Sequence, residues 1–209
     1  MLCSMSPPFV ARRRAGAGRS PRQPDPADQL RFIRQTMERA GTFTAVSGVG
    51  QIVVGGIGLI GATIAAQTST SGRWLAVWVS TAVVAVAVAG WSIARKAARL
   101  QVPLWSGPTR RFALSFCPTL VAGAILTLFL QSTDVADRLP GIWLLVYGAS
   151  VTAGGVASIS IVPVMGACLM VIGVAALATP AAWGDWFMAF GFGVVHILFG
   201  IRIARRHGG

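Results

Sequence analysis

The sequence predicts an all-α membrane protein, with six transmembrane helices arranged as three in–out–in hairpins that form parallel internal repeats. Three observations carry this expectation. The 209 residues are 54% hydrophobic and 11% charged, with a mean hydropathy of +0.67, outside the range of ordinary soluble domains of this length. The apolar residues are gathered into uncharged stretches long enough to cross a bilayer. The 18 Lys+Arg, against 6 Asp+Glu, lie in tails and short loops, where they orient a membrane protein instead of building a nucleic-acid-binding patch.

Residues 1–28 carry Arg12, Arg13, Arg14, Arg19 and Arg22 with Pro7, Pro8, Pro21 and Pro24 and no apolar period, which predicts a disordered basic tail. It lacks the apolar core of a signal peptide. Residues 29–42 follow as an amphipathic juxtamembrane helix, with Leu30, Ile33, Met37 and Ala40 on one face and Arg31, Arg34, Glu38 and Arg39 mostly elsewhere. A six-helix transmembrane domain is expected over 43–206.

Between Arg39 and Arg73 there is no charge for 33 residues, more than the roughly 20 a helix needs to span the hydrocarbon. Span 1 is placed at 44–66. A polar turn leads to span 2 at 74–93, closed by Arg95, Lys96 and Arg99. After Pro103, Pro108, Arg110 and Arg111 comes span 3 at 112–130. The next uncharged stretch, 139–184, would be about 69 Å long as one helix, so it must turn back. A break at Ser158-Ile159-Ser160, ahead of Pro163, gives spans 4 and 5 at 141–157 and 161–177. Span 6, at 183–203, ends in Arg202, Arg205 and Arg206.

With the N-terminus inside, eight basic residues fall in the N-terminal segment, five between spans 2 and 3 and three at the C-terminus, leaving only Arg73 and Arg138 outside. Both termini are therefore expected in the cytoplasm, with the chain multi-pass in a bacterial inner membrane. The topology determinants are Arg95, Lys96, Arg99, Arg110, Arg111, Arg202, Arg205 and Arg206.

Spans 2, 4 and 6 open with an aromatic pair four residues apart: Trp74 and Trp78, Trp143 and Tyr147, Trp186 and Phe190. The offsets Phe43 to Trp74 and Phe112 to Trp143 are both 31 residues, a spacing that an interfacial preference of aromatic rings does not by itself produce. Small residues mark packing faces: Gly48, Gln51, Gly55, Gly58, Ala62 and Ala65 in span 1; Gly148, Thr152 and Gly155 in span 4; Gly166 and Gly173 in span 5; Ala189, Gly193, His196 and Gly200 in span 6.

Ionisable or polar side chains at membrane depth are costly and mark candidate sites. Gln51, Cys168 and His196 fall at similar depth in the basic half and form the candidate intramembrane polar site, with hydrogen bonding across helix seams as the plainer role of Gln51 and His196. No second membrane histidine and no carboxylate lie in a span centre. No nucleophile elbow, HExxH, paired carboxylates or phosphate-cradling loop is present, so no catalytic residue, cofactor or metal site is expected. Cys3, Cys117 and Cys168 have no CxxC spacing and read as packing residues.

The stretches LRFIRQTMERAGTFTAVSGVGQ (30–51), VPLWSGPTRRFALSFCPTLVAGA (102–124) and TPAAWGDWFMAFGFGVVHILFGIRIARRHGG (179–209) resemble a family of uncharacterised bacterial integral membrane proteins. The glycine-rich hairpins are more loosely similar to stress-associated multi-hairpin membrane proteins of the DUF308 (HdeD-like) type. The resemblance implies a membrane protein and assigns no residue a role. The expected function is non-enzymatic: structural, accessory or stress-related, with a small-solute or lipid permease using Gln51, Cys168 and His196 as the alternative. Expected partners are the lipid bilayer and either a second copy or a membrane partner protein, without specific nucleic-acid contact.

Overall fold

A long apolar stretch cannot leave its backbone polar groups unpaired in hydrocarbon, and a helix satisfies them internally along its length. The computed structural model describes residues 29–30, 46–99, 101, 103 and 105–207, and the regular elements among these are all helical, without a strand. Two compact units divide the chain. Of the first, Met1–Glu38, only Gln29 and Leu30 are described, both helical and exposed. The tail expected at 1–28 lies outside the described residues, as does the amphipathic helix expected at 29–42 beyond those two.

The second unit, Arg39–Gly209, holds the bundle. Its helices are α1 (Gly48–Ala65), α2 (Ser71–Arg99), α3 (Gly107–Leu130), α4 (Leu139–Gly155), α5 (Ile161–Ala178) and α6. The last is continuous in three segments: α-helical Gly184–Met188, π-helical Ala189–Val195 and α-helical His196–His207. Two starts follow from capping chemistry. Ser47 Oγ accepts the Gly50 N–H at 3.1 Å, and Ser106 Oγ accepts that of Thr109 at 3.5 Å, each supplying a partner to an orphan donor of the first turn. Five stretches are long and apolar enough to cross a membrane: Gly48–Ala65, Ser71–Arg99, Gly107–Leu130, Ile161–Ala178 and Ala181–Arg206. With 17 residues, α4 is shorter than any of them.

Glycine decides which helices touch. On α4, Gly141, Gly148 and Gly155 recur every seven residues and face α5, where Gly166 and Gly173 repeat the spacing. A Cβ at Gly148 would stand 2.7 Å from the Gly166 carbonyl and the Met170 nitrogen, and one at Gly173 would stand 2.6 Å from the Leu145 nitrogen. Gly141 lies at Leu177 and Gly155 at Pro163, so the two helices run antiparallel along their whole length. A second seam joins α1 to α6: Gly48 meets Gly200 and Ala204, Gly55 meets Gly193 and Ile197, and this pair is antiparallel as well. Helix α6 thus packs chiefly on α1, although α5 precedes it in the chain.

The remaining contacts set every direction. Gly50 faces Ser92 and Gly61 faces Thr81, so α2 is antiparallel to α1; Gly123 faces Val146 and Gly154 faces Phe112, so α3 is antiparallel to α4. Gly184 at Pro140 and Gly191 at Leu144 keep α4 and α6 parallel. Consecutive helices therefore alternate. One end of the bundle gathers the starts of α2, α4 and α6 with Arg73, Arg138 and the three described acids, Asp134, Asp137 and Asp185. The other, the basic end, carries Arg95, Lys96, Arg99, Arg110, Arg111, Arg202, Arg205 and Arg206, with no acid among the described residues there.

The core forms where the seams adjoin, around Leu144, Leu169, Met188, Ile203 and His196, all essentially without exposed surface. Helices α2 and α3 are peripheral. They leave Val83, Val86, Leu128 and Phe129 more than 60% exposed, an apolar surface that water would not tolerate over such an extent.

The seams generate a paired test. Gly148→Leu forces side-chain atoms into the backbone of α5 and is expected to destabilise the bundle by about 3 kcal/mol. Gly90 meets nothing within 4 Å, so Gly90→Ala is expected to remain within about 1 kcal/mol of the parent or to raise stability. Unfolding of both variants in mixed micelles under denaturant checks the difference.

Candidate functional site

The aromatic residues that open α2 and α4 converge at the mixed-charge end. Trp74 packs on Trp143, with ring centroids 5.6 Å apart, and on Trp78 at 6.3 Å. Each outer indole has a partner for its N–H. Trp74 Nε1 donates to Asp185 Oδ1 and Trp143 Nε1 to Thr127 Oγ1, both at 2.7 Å. Thr127 passes its own hydrogen to the Gly123 carbonyl at 2.8 Å. Two tryptophans and one carboxylate thereby tie the starts of α2, α4 and α6 to each other and to the end of α3.

Deeper in the bundle the rings continue. Trp78 lies 6.1 Å from Phe192, Phe192 lies 5.2 Å from Tyr147, and Tyr147 stacks with His196 at 5.6 Å. Tyr147 also meets Phe116 edge-on at 6.2 Å, and Phe116 stacks on Phe112 at 5.4 Å near the start of α3. A continuous file of rings thus runs from the mixed-charge end almost to the basic end, each spacing within the range of favourable aromatic pairs.

Helix α6 joins this file through its π-helical segment. A π-turn inserts one residue relative to α-helical register and so rotates the face that follows. The expected pair Trp186 and Phe190 points outward, 75% and 49% exposed, whereas Phe192 and His196 enter the cluster. Gly191 and Gly193 supply the room, with Leu144 and Leu59 occupying the space their side chains would fill. The spacing of spans 2 and 4 gave no sign of this offset.

His196 is completely buried and both of its nitrogens are engaged. Nδ1 lies 3.0 Å from the Gly191 carbonyl, which can only accept, so Nδ1 carries the hydrogen. In the neutral ring Nε2 is then an acceptor, and it takes the Tyr147 O–H at 3.0 Å. Sequence reasoning placed Tyr147 among interfacial aromatics and did not give it this role.

The other two residues of the candidate polar site stand apart. Gln51 lies about one turn from the level of His196 by the α1–α6 register, yet its Oε1 is buried without a hydrogen-bond partner. Cys168 is half-buried on α5, a free thiol. The structure brings His196 to Tyr147, Phe192 and Gly191, and joins neither Gln51 nor Cys168 to it. A second orphan is Trp78 Nε1, buried without an acceptor. Each unpaired group costs about 1–3 kcal/mol. Among the described residues no three His, Cys, Asp or Glu side chains gather in a way that could hold a metal ion.

Several charged residues have contacts that the sequence did not disclose. Lys96 is buried and donates from Nζ to the Val46 carbonyl at 3.0 Å, fastening the end of α2 to the chain entering α1. Arg138 Nη1 donates to the Leu177 and Thr179 carbonyls at 3.0 and 3.1 Å, capping the C-terminus of α5. The guanidinium of Arg95 lies 5.2 Å over the Trp91 ring. Arg99, Arg110, Arg111, Arg202, Arg205 and Arg206 are exposed.

Fold and site together define an all-helical bundle with five membrane-length apolar stretches and a buried aromatic–imidazole cluster. No protein-family model, curated protein or solved structure matches the chain.

The Tyr147–His196 hydrogen bond yields a measurable coupling. Tyr147→Phe leaves a buried Nε2 unpartnered and is expected to cost about 1–2 kcal/mol. In a cycle with His196→Leu, the coupling should lie near the 0.6–1.7 kcal/mol range known for hydrogen bonds between membrane helices. Denaturation of the two single variants and the double variant measures it, and additive effects would reduce the contact to stacking.

Proposed function

We propose that the chain is a six-span integral protein of a bacterial inner membrane, with both termini cytoplasmic, serving a structural or accessory role without enzymatic activity. The observation that carries this reading is the state of His196. The one imidazole in the middle of the bundle among the described residues is fully buried, pinned at both nitrogens, and flanked by backbone seams too close to admit a Cβ. A transport residue must exchange its partner for a solute or a proton. His196 already has its full complement.

Six crossings are supported by the alternating directions of the helices. The seven-residue glycine register holds α4 alongside α5 from end to end, and α5 is itself long enough to cross. Seventeen residues span about 26 Å at helical rise, at the lower limit of membrane helices, and the preceding turn Ala136–Arg138 extends the element directly. The hairpins α1–α2 and α3–α4 pack internally, in keeping with a repeat; the third pairs through α1 instead. The basic end then faces the cytoplasm, since charge there exceeds that at the opposite end as membrane insertion requires. The resemblance to bacterial integral membrane proteins is part of the same proposal.

A permease remains the second reading because Gln51 Oε1 is a buried acceptor without a hydrogen-bond partner among the described residues. Reconstitution separates the two. Purified protein in liposomes is expected to move no proton or small solute above the protein-free rate, and His196→Ala is expected to lower stability without abolishing a cellular phenotype. Flux that depends on Gln51 or His196 would replace the structural reading with the permease. For topology, a cytosolic fluorescent reporter should light when fused after Gly209 and stay dark when inserted at Ser69, between α1 and α2.

A further inference from the structure

The side chains of six arginines at the basic end are exposed and have no hydrogen bond or ion pair among the described residues: Arg99, Arg110, Arg111, Arg202, Arg205 and Arg206. The last three differ from the others in what adjoins them. They line a groove with Leu198, Phe199 and Ile201 on the final turns of α6. Residues 198, 201, 202 and 205 follow the i, i+3, i+4, i+7 spacing of a single helical stripe, so one face changes from apolar to cationic within about 10 Å of rise. The opposite face, with Gly200 and Ile203, is buried. The stripe is therefore turned outward from the bundle.

We propose that this stripe is a binding site for one anionic phospholipid, its phosphate held by Arg202, Arg205 and Arg206 and an acyl chain lying along Leu198 and Ile201. The inference rests on the reading that α6 crosses the bilayer with its arginines at headgroup level. Charge complementarity selects the occupant. Guanidinium groups match phosphate oxygens bidentately and are less strongly hydrated than ammonium groups, which favours them where the headgroup region is partly dry. The carbonyl end of a helix carries a partial negative charge of about half a unit, which opposes an anion. Three full positive charges within one turn exceed it several-fold, and no acid among the described residues at this end competes for them. A free phosphate would use the arginines alone, and a nucleic acid would make no use of Leu198 and Ile201. A phospholipid uses both parts of the stripe.

The test is native mass spectrometry of the full chain released from micelles containing equal phosphatidylglycerol and phosphatidylethanolamine. One phosphatidylglycerol is expected to be retained at least tenfold above phosphatidylethanolamine. The Arg202→Gln, Arg205→Gln, Arg206→Gln triple variant is expected to lose that preference, and the Arg110→Gln, Arg111→Gln control to keep it. Equal retention of both lipids by the parent, or an unchanged preference in the triple variant, overturns the site. If the triple variant does not insert, Arg→Lys at the same three positions preserves the charge and should weaken retention at least threefold; unchanged retention there overturns the bidentate site. Displacement of the lipid by millimolar inorganic phosphate, or by a short DNA duplex, would also overturn it. Labelling of Arg206→Cys in oriented vesicles by an impermeant maleimide keeps the two readings apart. Labelling from the non-cytoplasmic side removes the topology, whereas cytoplasmic labelling without lipid preference removes the lipid site alone.

Discussion

The close approach of backbones along the two glycine seams is the constraint on which the bundle depends. Between helices in an apolar medium there is no hydrophobic gain from contact, because lipid tails are as apolar as leucine; what remains is dispersion and polar pairing at short range. Both fall steeply with distance. At Gly148, Gly173 and Gly55 the partner backbone stands where a Cβ would be, so these seams give each helix the maximum number of near neighbours. The seven-residue repeat keeps glycine on one face for the length of the contact. That is why α4, the shortest helix, can be held along its full length by α5, and why α6 joins α1 across the bundle.

The geometry of the polar cluster follows from the same seams. Gly191 accepts Leu144 and Gly193 accepts Leu59, and the π-helical turn that spans them sets the phase of everything after it. His196 arrives opposite Tyr147 because of that phase. Its ring then closes on its own helix through the Gly191 carbonyl, five residues back and inside the π-helical segment. An imidazole fixed in one tautomer between a carbonyl and a phenol is a rigid element. It contributes order at a depth where other core side chains, Leu144, Leu169 and Met188, are apolar and free of directional preference.

How much of this could be read in the sequence depends on whether the information was local. Uncharged length is local, and it predicted long apolar helices. Packing faces are nearly local, since Gly148, Thr152, Gly155, Gly166 and Gly173 announce themselves by their spacing. Partner choice is not local: a glycine face shows that something approaches closely and leaves open what does. For the same reason depth alone grouped Gln51, Cys168 and His196, whereas the hydrogen bonds of His196 go to Tyr147 and Gly191. The π-turn was illegible because it changes no residue type and shifts the register by one. Lys96 was legible only as a charge, and its bond to the Val46 carbonyl required knowing where α1 begins.

The charges of the two ends differ in kind as well as in number, and this difference bears on how orientation is encoded. At the mixed-charge end Arg138 caps α5 and Asp185 holds Trp74, so two of the charged groups there are engaged in tertiary structure. A guanidinium set on two helix-end carbonyls satisfies groups that would otherwise be orphaned, a local gain that favours an arginine at this position. At the basic end Lys96 is drawn inward, whereas the side chains of six arginines have no hydrogen-bond or ion-pair partner among the described residues. Charges without a partner are available to the membrane surface and to the insertion machinery; charges that cap a helix are not. Weighted by availability, the asymmetry between the ends is greater than a simple count of Lys and Arg conveys.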